Sequence, residues 1–189
     1  MSLYDLIKKR RTVRKFTTQQ ISEGDVLKLI DAARLSPSAA NLQSLKYMAV
    51  TDEGIRKDLY PYIKYAGYTP EWNPTFEETP TAFIIVLNDT DIRATESSQC
   101  DSGIAMMSIS LLAEDMGLGS CIFGAIDRPQ IKKVLGIDDK FDIMYLIGVG
   151  FPDQNNSYYE SDDEIKYSLD EDINFRVPKR KLKSVQMGQ

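Results

Sequence analysis

The chain has 189 residues, 42% hydrophobic and 27% charged, which suits one compact globular domain and excludes a disordered chain. It contains no histidine, so triads, general bases and zinc sites built on imidazole are excluded and redox chemistry falls to a bound cofactor. The net charge is −5, from 23 basic against 28 acidic residues, and its signs are segregated. Lys8, Lys9, Arg10, Arg11, Arg14 and Lys15 crowd one end, and Arg176, Lys179, Arg180, Lys181 and Lys183 the other, with acidic groups dominating 153–172 between them. That pattern suits a local anion site better than a nucleic-acid surface.

In chain order, 3–9 reads as a short helix with Leu3, Leu6 and Ile7 on one side. Ser22 caps a second helix, with Asp25 three positions on as a capping-box variant and Val26, Leu29, Ile30 and Ala33 at helical spacing; Ser36-Pro37 stops it. A first strand is expected at 46–51, then a helix from 53 to about 60. A loop or lid rich in Tyr follows to 79, containing Tyr60, Tyr62, Tyr65, Tyr68 and Trp72. The β-branched and aromatic run at 81–87 reads as an interior strand. The helix at 98–116 is apolar on almost every side, with Ile104, Met107, Leu111 and Leu112 aligned, and is expected to be buried nearly all round until Gly117 and Gly119 end it. A strand at 120–123, a helix at 127–135 with Pro129 in its first turn, and a strand at 142–149 precede a long tail. The order implies an α+β or three-layer sheet-and-helix domain. No apolar run approaches the roughly 18 residues of a membrane helix, and the segment after Met1 lacks a signal-peptide core, so a cytoplasmic protein is expected. Cys100 and Cys121 both have apolar neighbours and read as reduced core thiols.

Three stretches can carry chemistry. In Arg10-Arg11-Thr12-Val13-Arg14-Lys15-Phe16, an extended backbone puts Arg10, Thr12 and Arg14 on one face and Arg11 and Val13 on the other. Two guanidinium forks and a hydroxyl match phosphate oxygens, although a solvated charge run explains the stretch equally well. Ser36-Pro37-Ser38-Ala39-Ala40-Asn41-Leu42-Gln43 combines small residues, which allow backbone to approach a flat ligand, with two amide side chains; a plain turn after the helix is the competing reading. Gly117-Leu118-Gly119-Ser120-Cys121-Ile122-Phe123-Gly124-Ala125 lacks dinucleotide spacing, and Gly124 at the strand end either offers backbone N–H groups or forms an ordinary turn.

Taken together and in this order, the motifs resemble the nitroreductase family of FMN enzymes. The first is similar to its Arg-Arg-Ser-x-Arg-x-Phe phosphate motif and the second to its Ala-Pro-Ser-x-x-Asn-x-Gln segment. Cys100-Asp101-Ser102-Gly103-Ile104-Ala105 resembles the start of its central dimer helix. Ile147-Gly148-Val149-Gly150-Phe151-Pro152 is similar to a strand end of the family, and Pro178-Lys179-Arg180-Lys181-Leu182 resembles its C-terminal basic motif. Gln43 is followed by Ser44-Leu45 where relatives usually have Pro-Trp, a departure on the substrate side.

The resemblance implies a three-layer α-β-α sandwich around a mixed, mainly antiparallel sheet, forming an intertwined homodimer. Residues 1–189 would be a single FMN-binding domain, with 53–79 a variable excursion and 153–189 a C-terminal extension. It implies FMN contacts from Arg10, Arg11, Thr12, Arg14, Phe123, Gly124, Lys179 and Arg180. Ser38, Ala39, Ala40 and Asn41 would reach the flavin of the other subunit. NADH or NADPH would be the donor and a nitroaromatic, quinone or similar small molecule the acceptor. Flavin N5 would carry the chemistry, with no catalytic side chain, metal, nucleic acid or membrane involved. A specialised flavin reductase, dehalogenase or dehydrogenase, or a non-enzymatic FMN sensor or storage module, remains the alternative.

Overall fold

The computed structural model describes residues 1–69 and 71–188; Pro70, inside the 53–79 excursion, and Gln189, at the end of the extension, lie outside the described residues. Helices form where capping and apolar spacing agree. In α1 (Leu3–Lys9) Ser2 and Asp5 make a complete capping box. In α2 (Glu23–Arg34) the Ser22 hydroxyl accepts from the Asp25 amide and donates to its carboxylate, so this cap departs from a full box by sparing the Ser22 backbone. Asp52 caps α3 (Glu53–Leu59) and Asp127 caps α5 (Arg128–Leu135), each accepting from the amide three residues on.

The central sheet is built from β1 (Leu45–Val50), β2 (Ala82–Asp89), β3 (Gly119–Phe123) and β4 (Phe141–Gly150), in the order β1-β2-β4-β3 with every pair antiparallel. β2 is buried along its whole length because both of its faces are covered. Ile84 points toward α2 and α4 (Gln99–Asp115), beside Leu29 and Ile109. Phe83, Ile85 and Leu87 pack on the other side with Leu59 and Ile131 of α3 and α5. The register shifts between Val86 and Leu87, where Met144 is the extra residue of β4. Met144 and Tyr145 consequently pack against the same cluster, as a bulge requires, and Tyr145 is turned toward Gly124.

Two expectations need correction. Cys100 is exposed at the start of α4; only Cys121 is a core thiol, and burial pushes that thiol up to about 12. Helix α4 is not buried all round in one chain: Ala105, Met106, Ile109 and Ala113 face the sheet, but Ile104 and Met107 are 37% and 40% exposed. The tail also has structure. A second sheet, β5-β7-β6, joins β5 (Ser157–Glu160) parallel and β6 (Ser168–Leu169) antiparallel to β7 (Phe175–Lys179), ahead of a final turn α6 (Leu182–Val185). No helix is long and apolar enough to cross a membrane among the described residues.

Candidate functional site

Residues 10–16 run along the free edge of β3. Thr12 bridges Ser120 in parallel, and the Val13 amide donates to the Ser120 carbonyl at 2.9 Å. Gly119 is required there, since a Cβ on it would come within 2.9 Å of the buried Val13 side chain. Phe16 closes the segment, pairing with Pro152 and donating to the Glu78 carbonyl at 2.8 Å.

The two leading arginines have different partners, although both lie near Glu114. Arg11 turns back on α1: its Nη2 donates to the Lys8 carbonyl, and its guanidinium lies 4.8 Å from the Tyr158 ring centroid. It lines a cavity of about 230 Å³ with Lys9, Glu114 and Asn155. Among the described residues Arg10 keeps a buried Nε with no partner, and Arg11 Nε is also buried and unpartnered. Burial lowers the pKa of Arg10, while nearby Glu114 raises it. A half-buried guanidinium with an unused donor is a ready anion site, because an unmade hydrogen bond to a charged group is costly.

Arg14 is held more firmly. Its Nε donates to the Tyr65 carbonyl at 2.7 Å, and its guanidinium sits in the notch between Tyr167 and Phe175, 4.8 and 4.7 Å from their centroids. Two amides stitch the tail beneath it. Gln154 Oε1 accepts from the Arg14 amide at 2.9 Å and the Lys15 amide at 3.2 Å. Asn156 Nδ2 donates to the Thr12 carbonyl at 2.8 Å, and its oxygen takes the Phe175 amide at 2.6 Å. Sequence reasoning missed Gln154, Asn156 and Tyr167, since nothing local marks an amide or a ring that acts on a segment about 140 residues away.

The 38–43 loop is built on strained backbone: Ala40, Asn41 and Gln43 have φ of 52°, 55° and 53°, a region that non-glycine residues seldom occupy. Its anchor is Asp101 in the first turn of α4, 3% exposed, whose two oxygens accept from the Ala39 amide at 3.3 and 3.2 Å. Arg93 pairs with the same carboxylate at 3.1 Å, and the Gln43 amide donates to Ser38 Oγ at 2.9 Å. Asp101→Asn removes the charge facing a largely buried Arg93 and is expected to cost about 3–5 kcal/mol of unfolding free energy, read in a denaturant titration. A loss under about 1 kcal/mol would mean that the Ala39 amide alone holds the loop.

At the end of β3, Phe123 is in the core, edge-on to Tyr65 at 5.0 Å, so only its backbone faces outward chemistry. Gly124 follows the last ladder pair, beside the Tyr145 ring, and its carbonyl accepts from Arg128 at 3.4 Å. Lys179 ends β7 and Arg180 lies near Asp162; both are exposed, and neither bonds to the 10–16 segment among the described residues. The structure thus lays Thr12 and Val13 against the β3 edge, with Arg10 toward Glu114 on one side and the Arg14 fork toward Tyr65 and Tyr167 on the other. The Ser38–Asn41 group lies apart: Asp101 and Glu114, which mark the two groups, are about 20 Å apart along α4.

A family model described as Nitroreductase family matches residues 7–68 and 63–151. The chain is 27% identical over 164 residues to an Archaeoglobus fulgidus protein named as a presumed NADH dehydrogenase/NAD(P)H nitroreductase, covering 84% of this chain and 90% of that one. It is 24% identical over 181 residues to an iodotyrosine deiodinase of Thermotoga neapolitana, covering 86% and 95%. Among solved structures, an NADPH:FMN oxidoreductase from Vibrio harveyi complexed with NAD+ superposes with a TM-score of 0.67 at 25% identity, covering 81% of this chain and 70% of that one.

Proposed function

The chain belongs to the nitroreductase family, and on that premise we propose that it is an FMN-dependent oxidoreductase that takes hydride from NADH or NADPH and delivers it to a small flat acceptor such as a nitroaromatic or quinone. The observation that carries the reading is the pairing of Arg10, with its buried unpartnered Nε, and the stacked fork of Arg14 on one edge of a net-acidic protein. FMN, when bound, would supply hydride acceptance and donation at N5, chemistry that no side chain offers.

The chain's own groups bind and orient. Arg10, Arg14 and the Thr12 hydroxyl take the phosphate, Arg11 and the tail residues Lys179 and Arg180 add positive potential, and the backbone at Phe123 and Gly124 faces the ring edge. Ser38, Ala39, Ala40 and Asn41 serve the site of a second copy, because the span of α4 keeps them from meeting Arg10 of their own chain. The uncovered Ile104 and Met107 give that second copy an apolar surface to bury, so the working unit is a homodimer with two shared sites. Residues 1–189 act as one FMN-binding domain, with 53–79 and 153–189 as its additions. One shared face makes donor and acceptor bind in turn, and the kinetics are ping-pong. The two unpaired cysteines agree with a reducing compartment, and the reading takes the enzyme as cytoplasmic.

A specialised use of the same site, reductive removal of a halogen, is favoured by the likeness to an iodotyrosine deiodinase and by the Tyr-rich segment beside Arg14. Anaerobic stopped-flow mixing with NADH and with NADPH tests the leading reading: at least one is expected to bleach the flavin band. Bleaching by neither overturns it and leaves an FMN-binding sensor or storage module. Rapid reduction with slow nitroaromatic turnover and fast dehalogenation selects the second reading.

A further inference from the structure

The Tyr-rich segment and the tail meet through one residue, Tyr167. Its hydroxyl accepts from the Gly67 amide at 2.9 Å and the Tyr68 amide at 3.3 Å. Its ring packs on Tyr68 at 5.1 Å and edge-on to the fully buried Phe175 at 5.3 Å, and forms one wall of the notch that holds Arg14. The segment it grips bridges the two ends of the candidate site. Ile63 pairs with Ile126, and the Lys64 amide donates to the carbonyl of Ala125, next to Gly124. One residue further on, the Tyr65 carbonyl receives Arg14 Nε. Residues 63–68 therefore form a wall between Gly124 and Arg14, fixed at one end by Ala125 and Ile126 just after β3 and at the other by the tail.

We propose that Tyr167 is a positioning residue with two separable tasks: its ring orients the Arg14 fork, and its hydroxyl latches the 65–68 wall against the site. The first task follows from geometry. With Nε on Tyr65 and its guanidinium held in the notch between two rings, Arg14 has lost most of its rotational freedom before any anion arrives. The second task makes Tyr167 a determinant of acceptor size, since the latch sets how far the wall can retreat from Gly124. An anion on Arg14 and closure of the wall then stabilise one another, because coupling between two sites is reciprocal. The ring task rests on the FMN reading above; the latch is a property of the chain without cofactor.

Two variants separate the tasks. Tyr167→Phe keeps the ring and removes the acceptor of both amides. Exchange of the Gly67 and Tyr68 amides in the cofactor-free chain is expected to rise about fivefold each, while the FMN Kd stays within about twofold of the wild type. KM for a bulky nitroaromatic is expected to change more than that for a small one. Tyr167→Leu removes both functions, and FMN binding is expected to weaken about 2- to 30-fold in addition to the faster exchange. Unaltered exchange in Tyr167→Phe overturns the latch. Equal FMN affinity in Tyr167→Leu and the wild type overturns the orienting role. A wild-type chain that takes up no FMN, yet shows the exchange effect, fails the FMN reading and leaves the latch standing.

Discussion

Phe123→Ala is expected to lower the unfolding free energy by about 3–5 kcal/mol, a large share of the roughly 5–15 kcal/mol that holds a domain together. The ring is 2% exposed and edge-on to both Tyr65 and Phe83, at 5.0 and 6.1 Å, within the cluster that includes Leu59, Ile85 and Leu146. Its space is reserved from the neighbouring strand: a Cβ on Gly148 would come within 3.0 Å of the ring and 2.4 Å of Pro80. No rearrangement of a fully covered sheet fills the void, so the cavity term adds to the lost transfer energy. Urea titration of the cofactor-free protein reads the effect. A loss below about 1 kcal/mol would return the ring to a ligand-facing role.

Arg10→Ala is expected to weaken FMN binding about 10- to 150-fold, the equivalent of roughly 1.5–3 kcal/mol for a charge-assisted phosphate contact. Arg11→Ala should change it by less than about threefold. Their neighbours decide the difference. Both arginines keep a buried Nε with no partner among the described residues and both lie near Glu114, but Arg11 already spends its guanidinium on the Lys8 carbonyl and the Tyr158 ring, which leaves Arg10 the freer fork. Arg11→Ala instead releases the last turn of α1, with a small loss of stability. Flavin-fluorescence titration of both variants compares them directly. Equal losses at the two positions would mean that the basic cluster acts as a diffuse field and that no guanidinium makes a directed contact.

The bridge between Thr12 and Ser120 fits the extended backbone read there from the sequence, because strand alternation is local geometry. The misses have the opposite cause. Asn41 is a residue that tolerates φ near +50°, but Ala40 and Gln43 carry no such signature, and the bond between Asp101 and the Ala39 amide anchors the loop that bears them. The tail strands were illegible because β6 has two residues and β5 lies in a polar run whose partner β7 is 19 residues away. Exposure of Cys100, and of the Ile104 and Met107 side of α4, was equally hidden, since apolar neighbours in sequence say nothing about which face one chain covers.

What the sequence by itself determined is the set of central elements and their order. Capping residues, apolar periodicity and the β-branched run of β2 act within a turn or a strand, and their energies are decided before the chain closes on itself. What only the tertiary structure decided is the use made of the charged and polar groups between those elements. Arg14 reaches Tyr65 across 51 residues, Thr12 reaches Asn156 across 144, and Gly67 reaches Tyr167 across 100. A guanidinium, an amide or a phenol hydroxyl bonds whatever partner the packed core delivers to it, and that delivery is a property of the whole fold, absent from the residues on either side.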